Sequence, residues 1–189
     1  MNSIYHWLIP AVWIVFWSYW LVSALNVKKA RKSESRLARM VHLAFACFAF
    51  VLIVLSASPN RFVGWHLFSA QKDFFIGVAI LLIGLGFAVW ARIHLGAYWS
   101  GRVELKEGHR LIRTGPYKWV RHPIYTGILA GFLGTGFATG DVRIAGAFVF
   151  LGIIFFLKSR REECLLTQEF GDEYIQYRKK VPAFLPFLV

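Results

Sequence analysis

Two stretches in the C-terminal half of the chain set clustered polar and titratable residues directly against apolar runs. One is Gly115-Pro116-Tyr117, followed by Arg121-His122-Pro123-Ile124-Tyr125-Thr126-Gly127. The other is Glu162-Glu163, then Phe170-Gly171-Asp172-Glu173-Tyr174, Tyr177 and Val181-Pro182. Ionisable groups at the edge of hydrocarbon are expensive, so a gathering of them marks a site by default. Carboxylates, an imidazole and phenols open two kinds of chemistry. Glu162 or His122 could act as a base toward a thiol or amine nucleophile. A carboxylate nucleophile is already ionised at neutral pH and needs only a cation to hold it. Taken singly, Glu162-Glu163 could be a solvated helix face pairing with Lys158 or Arg160, and Arg121-His122 a plain interfacial entrance. It is the two together that carry the inference. His94, His109 and His122 match no metal-ligand spacing, so no metal is expected. The chain has no phosphate-binding glycine loop and no serine nucleophile elbow. Cys47 and Cys164 fall at opposite placements, which argues against a disulfide.

The elements that must position these residues are apolar helices. The chain of 189 residues is 57% hydrophobic and 17% aromatic, with a mean hydropathy of +0.51, too apolar for a soluble domain. Five segments, roughly 7–27, 41–58, 74–91, 123–140 and 142–158, are long enough or nearly so to cross a hydrocarbon core that takes about 20 residues. The expected fold class is therefore an all-α integral membrane protein with about five transmembrane helices. The first segment is Trp-rich with no Lys or Arg before it, which reads as a span and not a cleaved signal. Glycines in the third and fourth (Gly77, Gly84, Gly86; Gly127, Gly131) read as close-packing positions, and so does Gly134-Thr135-Gly136. Gly140 to Val142 alone separates the last two segments, a tight helical hairpin. The pattern of the fifth runs on past Lys158 into Glu162-Glu163, so that helix should project from the membrane.

The net charge of +12 reads as topology and not as nucleic-acid binding. Nineteen of the 22 basic residues fall in 28–39, 92–121 and 158–180, and Arg61, Lys72 and Arg143 are the remainder. The positive-inside rule then puts the N-terminus outside and the C-terminus in the cytoplasm, with recognition of anionic membrane lipids as a secondary role. Two parts follow: 1–73, two membrane-anchor helices with their loops, and 74–189, the catalytic core. The core holds three helices, the cytoplasmic loop 92–121 and the cytoplasmic segment 159–189. The aromatic residues of 92–121 argue for an ordered, half-immersed loop. The hairpin brings the start of the fourth span beside the end of the fifth. His109, Tyr117, His122, Tyr125, Glu162 and Glu163 could then surround one cytoplasm-facing cofactor pocket open sideways to lipid.

The pattern His109-x-Leu111-x-x-x-Gly115-x-Tyr117, Arg121-His122-Pro123-x-Tyr125-x-Gly127, Glu162-Glu163 and Phe170-Gly171-x-Glu173-Tyr174-x-x-Tyr177-x-x-x-Val181-Pro182-x-x-Leu185-Pro186 resembles the isoprenylcysteine carboxyl methyltransferase family, part of a wider phospholipid methyltransferase group. The resemblance covers roughly 90–189. It implies a membrane methyltransferase using S-adenosylmethionine on a lipidic or prenylated acceptor entering from the bilayer. By similarity, His109, Leu111, Gly115, Tyr117, His122, Pro123 and Tyr125 would line the cofactor pocket, with Glu162 and Glu163 on its other wall. Arg92 occupies a place like that of a family arginine that holds the substrate carboxylate, so Arg92 and Glu162 are the catalytic candidates. Where family members have an arginine four residues before the first glutamate, this chain has Lys158, which keeps the charge but lacks the planar fork. Methyl transfer from a sulfonium is an in-line displacement, and the protein supplies alignment. The other acceptors compatible with these residues are a phospholipid amine or a small thiol. Two further readings are an NADPH-binding protein similar to sterol reductases, and a non-enzymatic basic membrane scaffold.

Overall fold

In a computed structural model the described residues are 4–25, 30–32, 71–99, 105–106 and 110–185. They form five helices: α1 Ile4–Ser23, α2 Gln71–Leu95, α3 Pro123–Thr139, α4 Val142–Phe170 and α5 Asp172–Lys180. Short 3₁₀ turns cover Gly96–Tyr98 and Gly115–Lys118. A small antiparallel pair joins β1 Ala30–Lys32 to β2 Leu105–Lys106, so the layers are helical and the strands only tie two loop segments together. The expected spans 7–27, 74–91, 123–140 and 142–158 each have a helix. Segment 41–58 and His109 lie outside the described residues. Among the described residues two helices, Asp73–Tyr98 and Val142–Phe170, are long and apolar enough to cross a membrane. At 29 residues, α4 is about 43 Å long against a hydrocarbon core of about 30 Å, so it is longer than a span needs by about two turns.

The most intimate packing joins α2 to α3, and glycine makes it possible. A Cβ placed on Gly134 would lie 2.4 Å from the Leu81 nitrogen, and one on Gly77 2.3 Å from the Ala138 nitrogen. A Cβ on Gly127 would lie 2.5 Å from the Gly84 carbonyl oxygen. The two backbones touch, as small residues allow in apolar surroundings. Gly86, by contrast, faces open space. Helix α1 docks through rings: Trp13 is fully buried and packs on Phe132 of α3 at 5.0 Å between centroids. Its indole N–H donates to Thr135 Oγ1 at 3.0 Å, and Thr135 donates on to the Gly131 carbonyl at 2.8 Å. At the far end of α1, the Ser23 carbonyl accepts from Arg92, so the C-terminal ends of α1 and α2 meet and the two helices run the same way.

The α3–α4 hairpin is as tight as the sequence implies. Gly140 ends α3 in the left-handed region at φ 67°, where glycine carries no Cβ penalty. Asp141 then caps α4, its carboxylate accepting from the Arg143 N–H at 2.9 Å and from the Arg143 guanidinium. Pro123 opens α3 at a position where the missing N–H costs nothing. The hairpin thus brings the start of α3 beside the projecting turns of α4. Nearby, the Gly115–Lys118 turn carries Trp119 onto α2, stacked on Phe87 and edge-on to Trp90. Trp119 and Trp90 stay 51% and 41% exposed, a setting suited to amphipathic rings at a membrane boundary.

Candidate functional site

Glu162 and Glu163 are consecutive on α4 and so point about 100° apart around the helix. Between them lies the His122 imidazole, buried at the entrance of α3. Its Nε2 is 3.2 Å from Glu163 Oε1 and its Nδ1 is 3.5 Å from Glu162 Oε2. Two carboxylates on two ring nitrogens suit an imidazolium, which has a donor on each. Arg121 reaches the same Glu163 oxygen through Nε at 2.9 Å and Nη2 at 2.8 Å. Glu163 Oε2 is 3.6 Å from Arg178 Nε of α5. The Tyr125 hydroxyl donates to Glu162 Oε1 at 2.5 Å. The Tyr125 ring stacks on His122 and, at 4.6 Å, on Phe155 of α4, with Lys158 Nζ 5.4 Å from its centroid. Glu163 is almost fully buried, while the Glu162 side chain keeps 22% of its surface exposed. The site therefore holds one closed carboxylate and one open one.

The electrostatics follow from this geometry. Burial pulls the His122 imidazole down, but the hydrogen bonds and charges of Glu162 and Glu163 outweigh it and hold its pKa above the ordinary value. Burial pushes the Glu163 carboxyl up, and hydrogen bonds from His122 and Arg121 more than reverse this, to about 2. Burial of Glu162 is likewise overcome, by His122 and then by the charge of Lys158, so it too titrates below its ordinary range. A raised imidazole stabilises the folded site fully below its ordinary value of 6.5 and loses that contribution as pH rises through the folded-state value. Depressed carboxylates stabilise above their ordinary 4.5 and lose it as pH falls toward about 2. Unfolding midpoints of detergent-purified protein should therefore be highest between pH 4.5 and 6.5 and fall on both sides. His122→Gln should flatten the alkaline limb, and an unchanged limb would assign it to another group.

The structure brings His122, Tyr125, Glu162 and Glu163 together, with Pro123 next to His122 at the start of α3. Tyr117 is buried close by, with its carbonyl accepting from the Tyr177 hydroxyl at 2.6 Å. Burial first, and then the field of Glu162, push its phenol well above the usual range. Gly115 sits at φ 58° against the His94 ring, where a Cβ would come within 2.9 Å. Its role is to make that turn. Leu111 packs with Tyr174, Tyr177 and Val181 around α5 and so buttresses the α5 side. Arg92, 3% exposed, lies on the α1 side, flat on Trp99 at 4.4 Å. Its Nη1 donates to the Gly96 carbonyl at 2.8 Å and its Nη2 to the Ser23 carbonyl at 2.5 Å. Its Nε is buried and has no hydrogen-bond partner among the described residues. Four participants were not singled out from the sequence: Arg121 as the guanidinium on Glu163, Arg178 facing its other oxygen, Phe155, and Phe184 beside the His122 ring. Phe155 was findable, because Phe155, Lys158 and Glu162 follow a seven-residue helical stripe on one face of α4. Among the described residues no group of three His, Cys, Asp or Glu side chains could hold a metal ion.

The isoprenylcysteine carboxyl methyltransferase (ICMT) family model matches residues 77–168, a stretch running from Gly77 in α2 through both walls of the cluster. A protein-S-isoprenylcysteine O-methyltransferase of Xenopus laevis is 25% identical over 189 residues, covering 96% of this chain and 64% of that protein. A probable protein-S-isoprenylcysteine O-methyltransferase of Oryza sativa subsp. indica is 28% identical over 191 residues, 96% of each chain. The solved structure of the eukaryotic intramembrane Ras methyltransferase ICMT shares the fold, with a TM-score of 0.55 and 23% identity. The match covers 83% of this chain and 55% of that one. This chain thus spans less than two-thirds of the length of the frog protein. The chain is thus similar to the isoprenylcysteine carboxyl methyltransferase family over residues 77–168, just under half of its length, and shares the fold of the solved structure.

Proposed function

We propose that this chain is an integral membrane methyltransferase that uses S-adenosylmethionine to methylate the carboxylate of a C-terminal isoprenylcysteine or a similar lipidic acceptor. The observation that carries the reading is the His122 imidazole held between Glu162 and Glu163 at the open end of the α3–α4 hairpin. When bound, S-adenosylmethionine supplies a methyl group already activated on a sulfonium. The residues present suit such a group: Glu162 offers a partly exposed carboxylate for an ammonium or sulfonium. Tyr125 and His122 fix the orientation of that carboxylate. Glu163 is engaged by Arg121 and His122 through one oxygen and faces Arg178 through the other, and holds the wall in place. His109, Leu111, Gly115, Tyr117 and Pro123 would complete the pocket, as the family resemblance implies. Arg92 keeps one buried donor, Nε, without a partner among the described residues, which suits it to accept a substrate carboxylate. The acceptor would enter from the bilayer, with five spans, the N-terminus outside and the site facing the cytoplasm. Residues 1–73 would anchor, and 74–189 would carry the chemistry.

Lys158 favours a second acceptor class. A compact ammonium over Tyr125 cannot form the bidentate pair an arginine makes with a carboxylate, which suits a phospholipid amine or a thiol with Glu162 as base. Equilibrium binding to detergent-purified protein decides the donor, and a methylation panel decides the acceptor. S-adenosylmethionine should bind and NADPH should not. Glu162→Gln should weaken binding by about 10- to 100-fold, the worth of one charge-assisted contact. Methyl transfer should favour a prenylated cysteine over an aminophospholipid or a thiol. Binding of NADPH in place of S-adenosylmethionine, or of neither, would sink the proposal.

A further inference from the structure

The chain after α5 is held to the start of α3 by its backbone. The Arg121 N–H donates to the Pro182 carbonyl at 2.9 Å and the His122 N–H to the Ala183 carbonyl at 3.0 Å. Thr126 Oγ1 donates to the Phe184 carbonyl at 2.8 Å. Arg121 Nη1 donates to the Arg178 carbonyl at 3.1 Å and also to that of Val181. The first backbone bond of α3 comes only at Thr126 N to His122 O, so the amides of Arg121 and His122 have no helical acceptor. The tail supplies what the helix cannot.

Carbonyl acceptors are the same in every sequence, so these bonds do not require a phenylalanine at 184. The Phe184 ring has a separate task. It lies 5.6 Å from the His122 ring, tilted by 31°, while Tyr125 stacks at 5.6 Å and 9°. With Phe155 stacked on Tyr125 at 4.6 Å, His122 has two ring neighbours, Tyr125 and Phe184. An imidazole bonded at both nitrogens can still tilt about the line joining them. Ring contacts oppose that tilt.

We propose that Phe184 is a positioning residue: it acts through His122, keeping the imidazole plane aligned so that Glu162 and Glu163 stay oriented for the cofactor. The inference rests on the proposed S-adenosylmethionine site only for what the aligned carboxylates bind. In detergent-purified full chain with ¹³C-labelled histidine, the His122 ring signals should be shifted by the neighbouring rings. Phe184→Ala should move them toward those of exposed histidine, and Phe184→Tyr should retain them. Amide exchange at Arg121 and His122 should be slow in the wild type and should stay slow in Phe184→Ala, since the backbone bonds do not depend on the ring. The Kd for S-adenosylmethionine should rise by about tenfold in Phe184→Ala and return with Phe184→Tyr, with kcat at saturating donor largely kept. Fast exchange in the wild type, or His122 signals indifferent to Phe184→Ala, would overturn the proposal. So would disturbed His122 signals with unchanged donor affinity. Failure of the wild type to bind S-adenosylmethionine would instead count against the function proposed above, with the histidine signals still deciding the role of Phe184.

Discussion

Glu163→Ala is expected to cost about 3–5 kcal/mol of stability and to abolish S-adenosylmethionine binding. One oxygen of this carboxylate serves Arg121 Nε, Arg121 Nη2 and His122 Nε2, and the other faces Arg178. Removing it leaves a guanidinium only 10% exposed without its counter-charge, and an imidazole stripped of one of its two carboxylates. The effect is large because buried cations without a partner pay their desolvation in full. The tail should loosen in the same step, since Arg121 also holds the carbonyls of Arg178 and Val181. Glu163→Gln, which keeps an acceptor and loses the charge, should fall between wild type and Glu163→Ala. SDS or thermal unfolding in detergent, paired with donor binding, measures both effects. A wild-type midpoint for Glu163→Ala would mean that Arg121 and His122 do not depend on this carboxylate.

The second large effect is expected at Gly134→Ala, deep in the α2–α3 contact. The added methyl would meet the Leu81 nitrogen at 2.4 Å and the Gly77 carbonyl at 2.6 Å. Both are backbone atoms that cannot rotate away, so the helices must separate. Overpacking typically costs about 1–3 kcal/mol, and the rigid partner puts this position at the upper end. Gly86→Ala is the matched control, since its Cβ meets nothing within 4 Å. It should be neutral or slightly stabilising in an unfolding titration, because alanine favours helix over glycine by about 1 kcal/mol. Equal effects from the two substitutions would show that helix propensity, and not the contact, sets the stability.

Much of this arrangement is legible in the sequence because hairpins leave little choice. Two apolar runs separated by Gly140 and Asp141 must pack antiparallel, and that alone brings His122 near Glu162-Glu163. The backbone contact of α2 with α3 was legible as well, through glycines at helical spacing. Other features depend on side-chain direction, which spacing does not reveal. Leu111 and Gly115 both precede Arg121-His122, yet one packs against α5 and the other turns the chain past His94. Arg92 follows a span, but spacing cannot say that its guanidinium lies across the end of α1. Arg121 reads as an ordinary interfacial arginine until the carboxylate beneath it is seen. Phe184 falls in a segment with neither helical nor strand period, so nothing pointed to its ring.

The hydrogen bond from Trp13 to Thr135 carries a consequence for the geometry at Arg92. An interface of aromatic and aliphatic side chains is nearly degenerate: α1 could slide by a turn, or rotate, and still bury similar surface. A directional bond in apolar surroundings removes that degeneracy. It contributes only about 0.6–1.7 kcal/mol, but any other register strands the Trp13 indole N–H. That costs several kcal/mol where no water can reach. Ser23 lies ten residues beyond Trp13, about 15 Å along the helix. A slip of one turn, about 5.4 Å, would carry the Ser23 carbonyl away from the Arg92 guanidinium. The pairing of an indole with a threonine near the middle of the helices thus works as a vernier, setting from half a helix away where Arg92 points.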